Sequence, residues 1–322
     1  MLSWFLLKRL ATLLITLAVA SVVIFAVLEL LPGNAAEVVL GDTATPEAVA
    51  ALEARLGLDR PPLARYTHWV GGLLSGQTAQ SISYDTPTAE LIAQRLQVTL
   101  PLALLAMALT TLAALGLGVY AAAHHRRLGD VGVMAASQVG MAIPNFWFAI
   151  LLILLFAVKL RWFAAGGFPG WVEDEGGGLW LGLKALLLPA LSLAVIQAAM
   201  LARVTRSAVL EVMREDYVRT ARAKGLSRRA VLWRHVLRNA LIPVVTLMGL
   251  QFANLVTSAI VVENVFVLPG VGRLVFQAIS NRDLVVVRDT VMLLAAAVVL
   301  INFLVDLVYA LIDPRLAPAE AA

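Results

Sequence analysis

The most informative stretch of the chain is a basic block between two long apolar runs, RTARAKGLSRRAVLWRHVLRNALIP, at residues 219–243. Residues 203–238 around it carry ten basic and three acidic side chains. Charged side chains are costly in hydrocarbon, so a membrane protein keeps such a block only where it stays in water. The stretch therefore predicts an exposed connection between two membrane spans.

The composition supports a membrane-embedded chain. Of 322 residues, 61% are hydrophobic and only 14% are charged, with a mean hydropathy of +0.87. Soluble domains carry about 25% charged residues. The chain contains no cysteine, which excludes disulfides and thiolate chemistry.

Six apolar segments are long enough to cross a bilayer, which takes roughly 20 residues of helix. The first follows Lys8 and Arg9 in the manner of a signal peptide. Its apolar run, residues 10–31, is too long for the apolar region of a signal peptide, so we expect a retained span. The predicted spans are 9–31, 99–123, 131–158, 185–206, 240–262 and 289–312.

The basic residues predict the orientation. Connections on one side of the six spans carry fifteen of them, and the two short connections on the other side carry six. Because short cytoplasmic loops are enriched in Lys and Arg, both termini are expected in the cytoplasm. The chain then divides into an N-terminal transmembrane helix (1–31), an external segment (32–98), a membrane core (99–312) and a cytoplasmic tail (313–322).

Local signals predict two short helices within the basic block. Glu215 to Lys224 has acids in its first turn and bases in its last, as the helix dipole favours. Gly225 can adopt the left-handed conformation that ends a helix, and Ser227 can cap the next one. In the external segment, Thr45 and Gly57 similarly bound a predicted helix.

The block admits several interpretations. It can fix the topology and contact anionic lipid, or it can dock a partner protein. The small residues Ala221, Ala223 and Gly225 would allow a partner to approach closely. A nucleic-acid-binding helix-turn-helix is disfavoured because no free domain surrounds the block.

The block and the residues that flank it contain EDYVRTARAKGL at 215–226, LRNA at 237–240 and PVV at 243–245. These motifs resemble the coupling loop of ABC importer permeases of the dipeptide, oligopeptide and nickel type. Further similar motifs are LPG at 31–33, PNFW at 144–147, LPGVGR at 268–273, RD at 282–283, NFLVDL at 302–307 and DPR at 313–315. Together they extend over essentially the whole chain.

This resemblance implies an all-α membrane protein with six transmembrane helices and the type I ABC importer permease fold. Residues 99–312 would form the transmembrane core, with a cytoplasmic coupling loop at 207–239. The residues implied to contact an ATPase subunit are Glu215, Asp216, Tyr217, Arg219, Thr220, Ala221, Ala223, Lys224, Gly225, Leu226 and Ser227.

The resemblance also implies partners and a function. The chain would pair with a second homologous permease, two ATP-binding subunits and an extracytoplasmic substrate-binding protein, within the lipid of the cytoplasmic membrane. It would move peptides or a related small solute by alternating access, with nickel or glutathione as alternative cargo. ATP and magnesium would be held by the partner ATPase, so this chain needs no cofactor and is not expected to be an enzyme.

Polar residues within the spans are candidates for the substrate path. Asn145, Gln197, Gln251 and Asn254 either line that path or hydrogen-bond between helices. Asp306 is the only acid deep in a span, and pairing with a base of a neighbouring helix is the simpler interpretation.

Two other classes of function remain to be compared. An ion-coupled secondary transporter would typically have broken helices in two inverted halves and an acidic residue at the membrane midplane. Asp306 is the only candidate for that acidic residue. An intramembrane enzyme lacks a catalytic constellation here. The four histidines show no metal-binding spacing, and no phosphate-binding loop for ATP is present.

Overall fold

The computed structural model describes residues 2–30, 40–41 and 44–312, which form helices and one isolated antiparallel bridge between Gln80 and Pro87. The motifs at 31–33 and 313–315, and the predicted tail 313–322, lie outside the described residues. The principal helices are α1 (Leu2–Glu29), α2 (Pro46–Leu56), α3 (Pro62–Ser75), α4 (Thr88–Ala123), α5 (Leu128–Ala142), α6 (Asn145–Leu152), α7 (Leu179–Val212), α8 (Asp216–Ala223), α9 (Arg228–Val231), α10 (Leu237–Val265), α11 (Val271–Ser280) and α12 (Leu284–Ile312).

Five described helices are long and apolar enough to cross a membrane, and they correspond to five of the six predicted spans. They are α1, α4, α7, α12 and a continuous helix from Arg229 to Val265 that includes α10. A π-helical turn, Leu232–Val236, connects α9 to α10 within that helix. α4 begins at Thr88, well before the predicted boundary at residue 99. Its 36 residues extend about 54 Å, which is more than the roughly 30 Å of hydrocarbon in a bilayer.

The third predicted span, 131–158, is not one helix. α5 ends at Ala142, and α6 and a π-helical segment continue from Asn145 to Lys159 at an angle of 104°. Ile143 and Pro144 between them are extended, with ψ of 126° and 137°. A proline ring disfavours the helical conformation for the preceding residue, which explains the break. The described chain therefore has six spans only if this bent pair counts as one.

The chain forms two compact units, neither continuous in sequence. One unit comprises residue 2 with residues 100–268 and 301–312, and the other comprises residues 3–99 and 269–300, in both cases as far as they are described. The division at residues 31, 98 and 312 was drawn from the expected sides of a membrane, and it stays a prediction.

In the first unit, α7 is the central helix and packs against α5, α6 and α10. Its buried positions include many small residues, among them Ala190, Ala194, Ala198 and Ala202. A Cβ atom at Gly140 of α5 would lie 3.3 Å from the Cβ of Ala199, which indicates close helix packing. Small residues at such contacts let helix backbones approach, as is common in membranes.

In the second unit, two buried carboxylates connect distant segments. Asp289 of α12 accepts hydrogen bonds from the indole N–H of Trp69 (2.7 Å) and from the Thr88 hydroxyl. Asp283 accepts from the Ser81 hydroxyl (2.5 Å) and the Ser83 backbone N–H (3.0 Å). Leu91, Ile92, Leu274, Ala278, Val286 and Val287 form the hydrophobic cluster of this unit.

The predicted helix of the external segment is confirmed. The Thr45 side chain accepts a hydrogen bond from the backbone N–H of Ala48, and Gly57 ends α2 with φ +66°. The side chains of Leu52 and Leu56 in this helix lie outside the described residues.

Candidate functional site

The candidate site is the segment between α7 and α10, which contains the basic block. α7 ends at Val212, and a turn leads to Glu215, which precedes the first residue of α8. The predicted short helix is confirmed, with Asp216 in its first turn and Arg222 in its last. These charges complement the helix dipole.

Gly225 and Ser227 act locally as the sequence predicts. Gly225 has φ +83°, and the backbone N–H of Leu226 donates to the carbonyl of Ala221 across it. This is the closure that a left-handed glycine provides at a helix C-terminus. The Ser227 hydroxyl then accepts a hydrogen bond of 3.3 Å from the backbone N–H of Ala230 and so caps α9.

A hydrophobic cluster fixes α8 to the ends of longer helices. Val218 and Ala221 of α8 are buried, with exposed fractions of 0% and 6%. They share the cluster with residues of α4, α7, α9, the π-helical turn and α10, namely Val119, Ala122, Ala208, Val209, Val231, Val236 and Ala240. α8 is therefore packed directly against the ends of several longer helices.

This packing divides the predicted docking face by exposure. Ala221 is 6% exposed and packs against the chain's own core, and its contact with a partner stays a prediction. Ala223 and Gly225 remain exposed. The other exposed members of the predicted set are Glu215, Asp216, Tyr217, Arg219, Thr220, Lys224, Leu226 and Ser227.

A polar contact connects α8 to the start of α10. The side-chain amide of Asn239 donates a 2.7 Å hydrogen bond to the hydroxyl of Tyr217. On α8 itself, Arg219 pairs with Asp216 at 3.2 Å, but both side chains are largely exposed. Such an exposed pair contributes little to stability.

An ion-pair cluster next to this segment was missed by sequence reasoning. Asp130 of α5 is buried and accepts two hydrogen bonds from Arg206 of α7, one of them 2.7 Å from Nη2. The backbone N–H of Arg126 and the Nδ1 atom of His125 also contact Asp130, at 2.9 and 3.3 Å. The cluster fixes the α4–α5 turn to α7. The sequence signal was weak: Asp130 follows the basic residues Arg126 and Arg127, and Arg206 ends the fourth predicted span.

Two of the four path candidates contact each other. The Gln251 side-chain amide donates to the backbone carbonyl of Gln197 at 3.1 Å, and Gln251 is 1% exposed. This pair joins α10 to α7. Asn254 is exposed, and the Asn145 Oδ1 atom is buried without a hydrogen-bond partner among the described residues.

The described chain has several helices that are long and apolar enough to cross a membrane, and the segment with the basic block connects two of them. These features indicate a multi-pass membrane protein. Two family models match the chain. "Binding-protein-dependent transport system inner membrane component" matches residues 114–318, and the N-terminal model of the same transport system membrane component matches residues 1–103. The chain belongs to this family of transport system inner membrane components.

Curated relatives of similar length match nearly the whole chain. One relative, from Brucella suis biovar 1, is named as a peptide transport system permease protein. It is 42% identical over 309 residues, and the match covers 96% of this chain and 97% of the relative. The di/tripeptide transport system permease protein DppB of Pseudomonas aeruginosa is 40% identical, covering 97% and 98% of the two chains. The glutathione transport system permease protein GsiC of Salmonella choleraesuis is 38% identical with the same coverage.

A solved structure supports the fold. A crystal structure of an amino acid ABC transporter with histidines aligns with a TM-score of 0.51 and 16% identity. The alignment covers 68% of this chain and 93% of the other. Together with the family match, this supports the type I permease fold.

Proposed function

We propose that the chain is the permease subunit through which an ABC importer moves peptides across the cytoplasmic membrane, and that α8 is its contact with an ATP-binding subunit. The relatives named for peptide, di/tripeptide and glutathione transport favour a peptide-like cargo. Membership of this family does not favour an ion-coupled secondary transporter.

The observation that carries the coupling proposal is the way α8 is held. It is short, exposed on one face, and fixed by Val218 and Ala221 to a cluster that includes the ends of α4, α7 and α10. A switch of this kind needs an element that touches both a moving partner and the spans. On this proposal, ATP-driven closure of the partner displaces α8, and the spans change between inward- and outward-facing arrangements.

The proposed orientation places α8 and both termini in the cytoplasm. It rests on the excess of Lys and Arg in the connections on that side. The segment 32–98 and the connection 263–288 would then lie on the external side. A substrate-binding protein would deliver cargo there.

The substrate path is proposed to run along one exposed stripe of α10. Leu250, Asn254, Thr257 and Val261 follow one another at helical spacing, and all four are exposed in the single chain. An amide facing lipid is unfavourable, so Asn254 fits a water-filled path or a second permease better. Gln251 and Gln197, which bond to each other, fit the alternative role of joining helices.

Co-purification tests the coupling proposal. The full chain is expressed with its neighbouring genes, and the amount of P-loop ATPase that purifies with it is measured. An Ala223→Trp variant adds bulk to the exposed face of α8 without touching the buried cluster. We expect it to lose most of the ATPase.

The matched control is Ala123→Trp, at the exposed last residue of α4. It adds the same side chain on the same expected side of the membrane, outside α8. We expect it to retain the ATPase. Equal ATPase recovery with both variants, or no ATPase with the unmodified chain, would refute the proposed coupling role.

A further inference from the structure

A second surface lies just after α8, on α9 and the π-helical turn. An open groove of about 380 Å³ is lined by Ser227, Arg229, Ala230 and Trp233. The opposite side of the same helix packs inward through Val231 and Val236, which are 1% and 0% exposed. The groove is therefore on the outward side of a firmly held helix.

Trp233 is unusually uncovered for its size. It is 59% exposed and lies within the π-helical turn Leu232–Val236. Such turns are rare and are frequently found at functional sites. Tryptophan is enriched at membrane–water interfaces because its ring is apolar and its N–H remains hydrated.

The charge around the groove is of one sign. The sequence from Arg228 to Arg238 contains no acidic residue. Arg229, Arg234 and Arg238 are exposed, and none of them forms an ion pair with another residue of the described part of the chain. The surface thus offers guanidinium donors to an anionic group from outside the chain.

The position along the helix suggests what that group is. Arg229 to Val265 is one continuous apolar helix that is long enough to span a membrane. Trp233 precedes Ala240, where the long apolar run begins, by seven residues, or about 10 Å of helix. The headgroup layer on each side of a bilayer is about 5–8 Å thick, so a tilt of about 40°, the upper end of the usual range, brings Trp233 to headgroup level. Arg229 lies eleven residues, or about 16 Å, before Ala240, so its long side chain would extend toward the membrane to reach that level.

We propose that this groove binds the phosphate group of an anionic phospholipid. Arg229 would contact the phosphate, and Trp233 would lie against the neighbouring interfacial part of the lipid. The inference goes beyond the proposed function, and it rests on the helix being a membrane span rather than on the docking of an ATPase.

Native mass spectrometry tests this proposal. The full chain, alone and with its co-purifying subunits, is exchanged from nanodiscs of phosphatidylcholine with one quarter phosphatidylglycerol, and retained phospholipids are counted. We expect the unmodified chain to retain phosphatidylglycerol in preference to phosphatidylcholine. Arg229→Gln should weaken this retention about fivefold, because a single base near a membrane surface contributes about that factor. Trp233→Leu should also weaken it, because the interfacial contact of the indole ring is lost.

Arg238→Gln is the control that separates a site from general surface charge. Arg238 is on the same helix and closer to the apolar run, but it does not line the groove. If the lipid is held by diffuse charge, Arg238→Gln should reduce phosphatidylglycerol retention at least as much as Arg229→Gln, and this result overturns the proposal. If the lipid binds in the groove, Arg229→Gln should reduce retention more than Arg238→Gln, and this result supports the proposal.

Three other outcomes also decide the matter. Absence of preferential phosphatidylglycerol retention by the unmodified chain overturns the proposal. The proposal is also overturned if the chain alone binds the lipid but loses it on assembly, and Arg229→Gln reduces ATPase recovery. The groove would then be a contact with the ATPase rather than a lipid site. Retained lipid without any co-purifying ATPase supports the groove and contradicts only the coupling proposal.

Discussion

The side-chain nitrogen of Asn239 lies 2.7 Å from the hydroxyl oxygen of Tyr217, so the first turn of α10 is hydrogen-bonded to the first turn of α8. The two residues are 22 positions apart in sequence. Hydrophobic packing of Val218 and Ala221 also holds α8 against the ends of the longer helices. The short helix is therefore attached in two ways, by apolar packing and by a directional hydrogen bond.

Replacement of Tyr217 by Phe removes only the hydroxyl group. A neutral hydrogen bond contributes about 0.5–1.5 kcal/mol, and Tyr217 is 41% exposed, so the lower part of that range applies. We expect α8 to remain folded and the ATPase to remain bound, while cargo uptake by the reconstituted complex falls severalfold. The measurements are uptake into proteoliposomes and ATPase recovery from the same preparation.

A double-mutant cycle with Asn239→Ala shows whether the effect arises from this bond. If it does, the double variant should be little worse than either single variant, because each change breaks the same contact. Fully additive losses would mean that the two side chains act independently.

The Asp130–Arg206 pair gives a prediction about stability. The Asp130 side chain is 4% exposed and that of Arg206 is 21% exposed. Breaking a buried pair by removing one charge typically costs 3–5 kcal/mol, and partial hydration of Arg206 lowers the expected loss for Asp130→Asn to roughly 2–3 kcal/mol. Unfolding of the chain in detergent, followed by far-ultraviolet circular dichroism, measures this change.

Asp216→Asn is the matched control for that experiment. Asp216 also pairs with an arginine, Arg219, but its side chain is 93% exposed. Removal of this charge should have little effect on unfolding, since exposed pairs contribute little. Similar losses for the two variants would contradict the structural role given to Asp130.

Two glycines of α4 provide a test of the close packing in the first unit. A Cβ atom on Gly118 would lie 2.6 Å from the Thr205 Cβ and 2.7 Å from the Ala202 carbonyl, whereas one on Gly116 would meet no atom within 4 Å. We expect Gly118→Ala to destabilise the chain by about 1–3 kcal/mol through overpacking. Gly116→Ala should be neutral or slightly stabilising, because alanine favours helix. The opposite order would contradict the α4–α7 packing.

The sequence predicts the course of the chain well where local chemistry decides it. The apolar runs locate the spans, and the signals at Thr45, Gly57, Gly225 and Ser227 correctly predict the helix ends. Each of these depends on a few neighbouring residues, so no knowledge of distant contacts is needed. The end of α4 at Ala123 is where the apolar run predicts it, but its start at Thr88 is not, since the helix begins before the apolar run does.

What could not be predicted depends on pairs of distant residues. Pro144 lies inside a long apolar run, and hydropathy alone does not distinguish a straight span from one broken at a proline. The contact of Asp130 with Arg206, 76 positions away, required the folded arrangement of α5 and α7. The buried side of Ala221 was equally hidden, because small residues suit a chain's own core as well as a partner.

The last prediction concerns the backbone at Gly225. Its φ is +83°, and an added Cβ atom would meet nothing within 4 Å, so a substitution strains the backbone without creating a clash. An ordinary residue in this conformation costs roughly 1–2 kcal/mol, asparagine tolerates it better, and a β-branched residue tolerates it worst. If the turn matters because it shapes the end of α8, ATPase recovery should decrease from glycine to Gly225→Asn, Gly225→Ala and Gly225→Val, with equal membrane insertion. A decrease that instead follows side-chain volume, with Gly225→Asn below Gly225→Ala, would indicate that a partner packs directly on this position and that the backbone conformation is secondary.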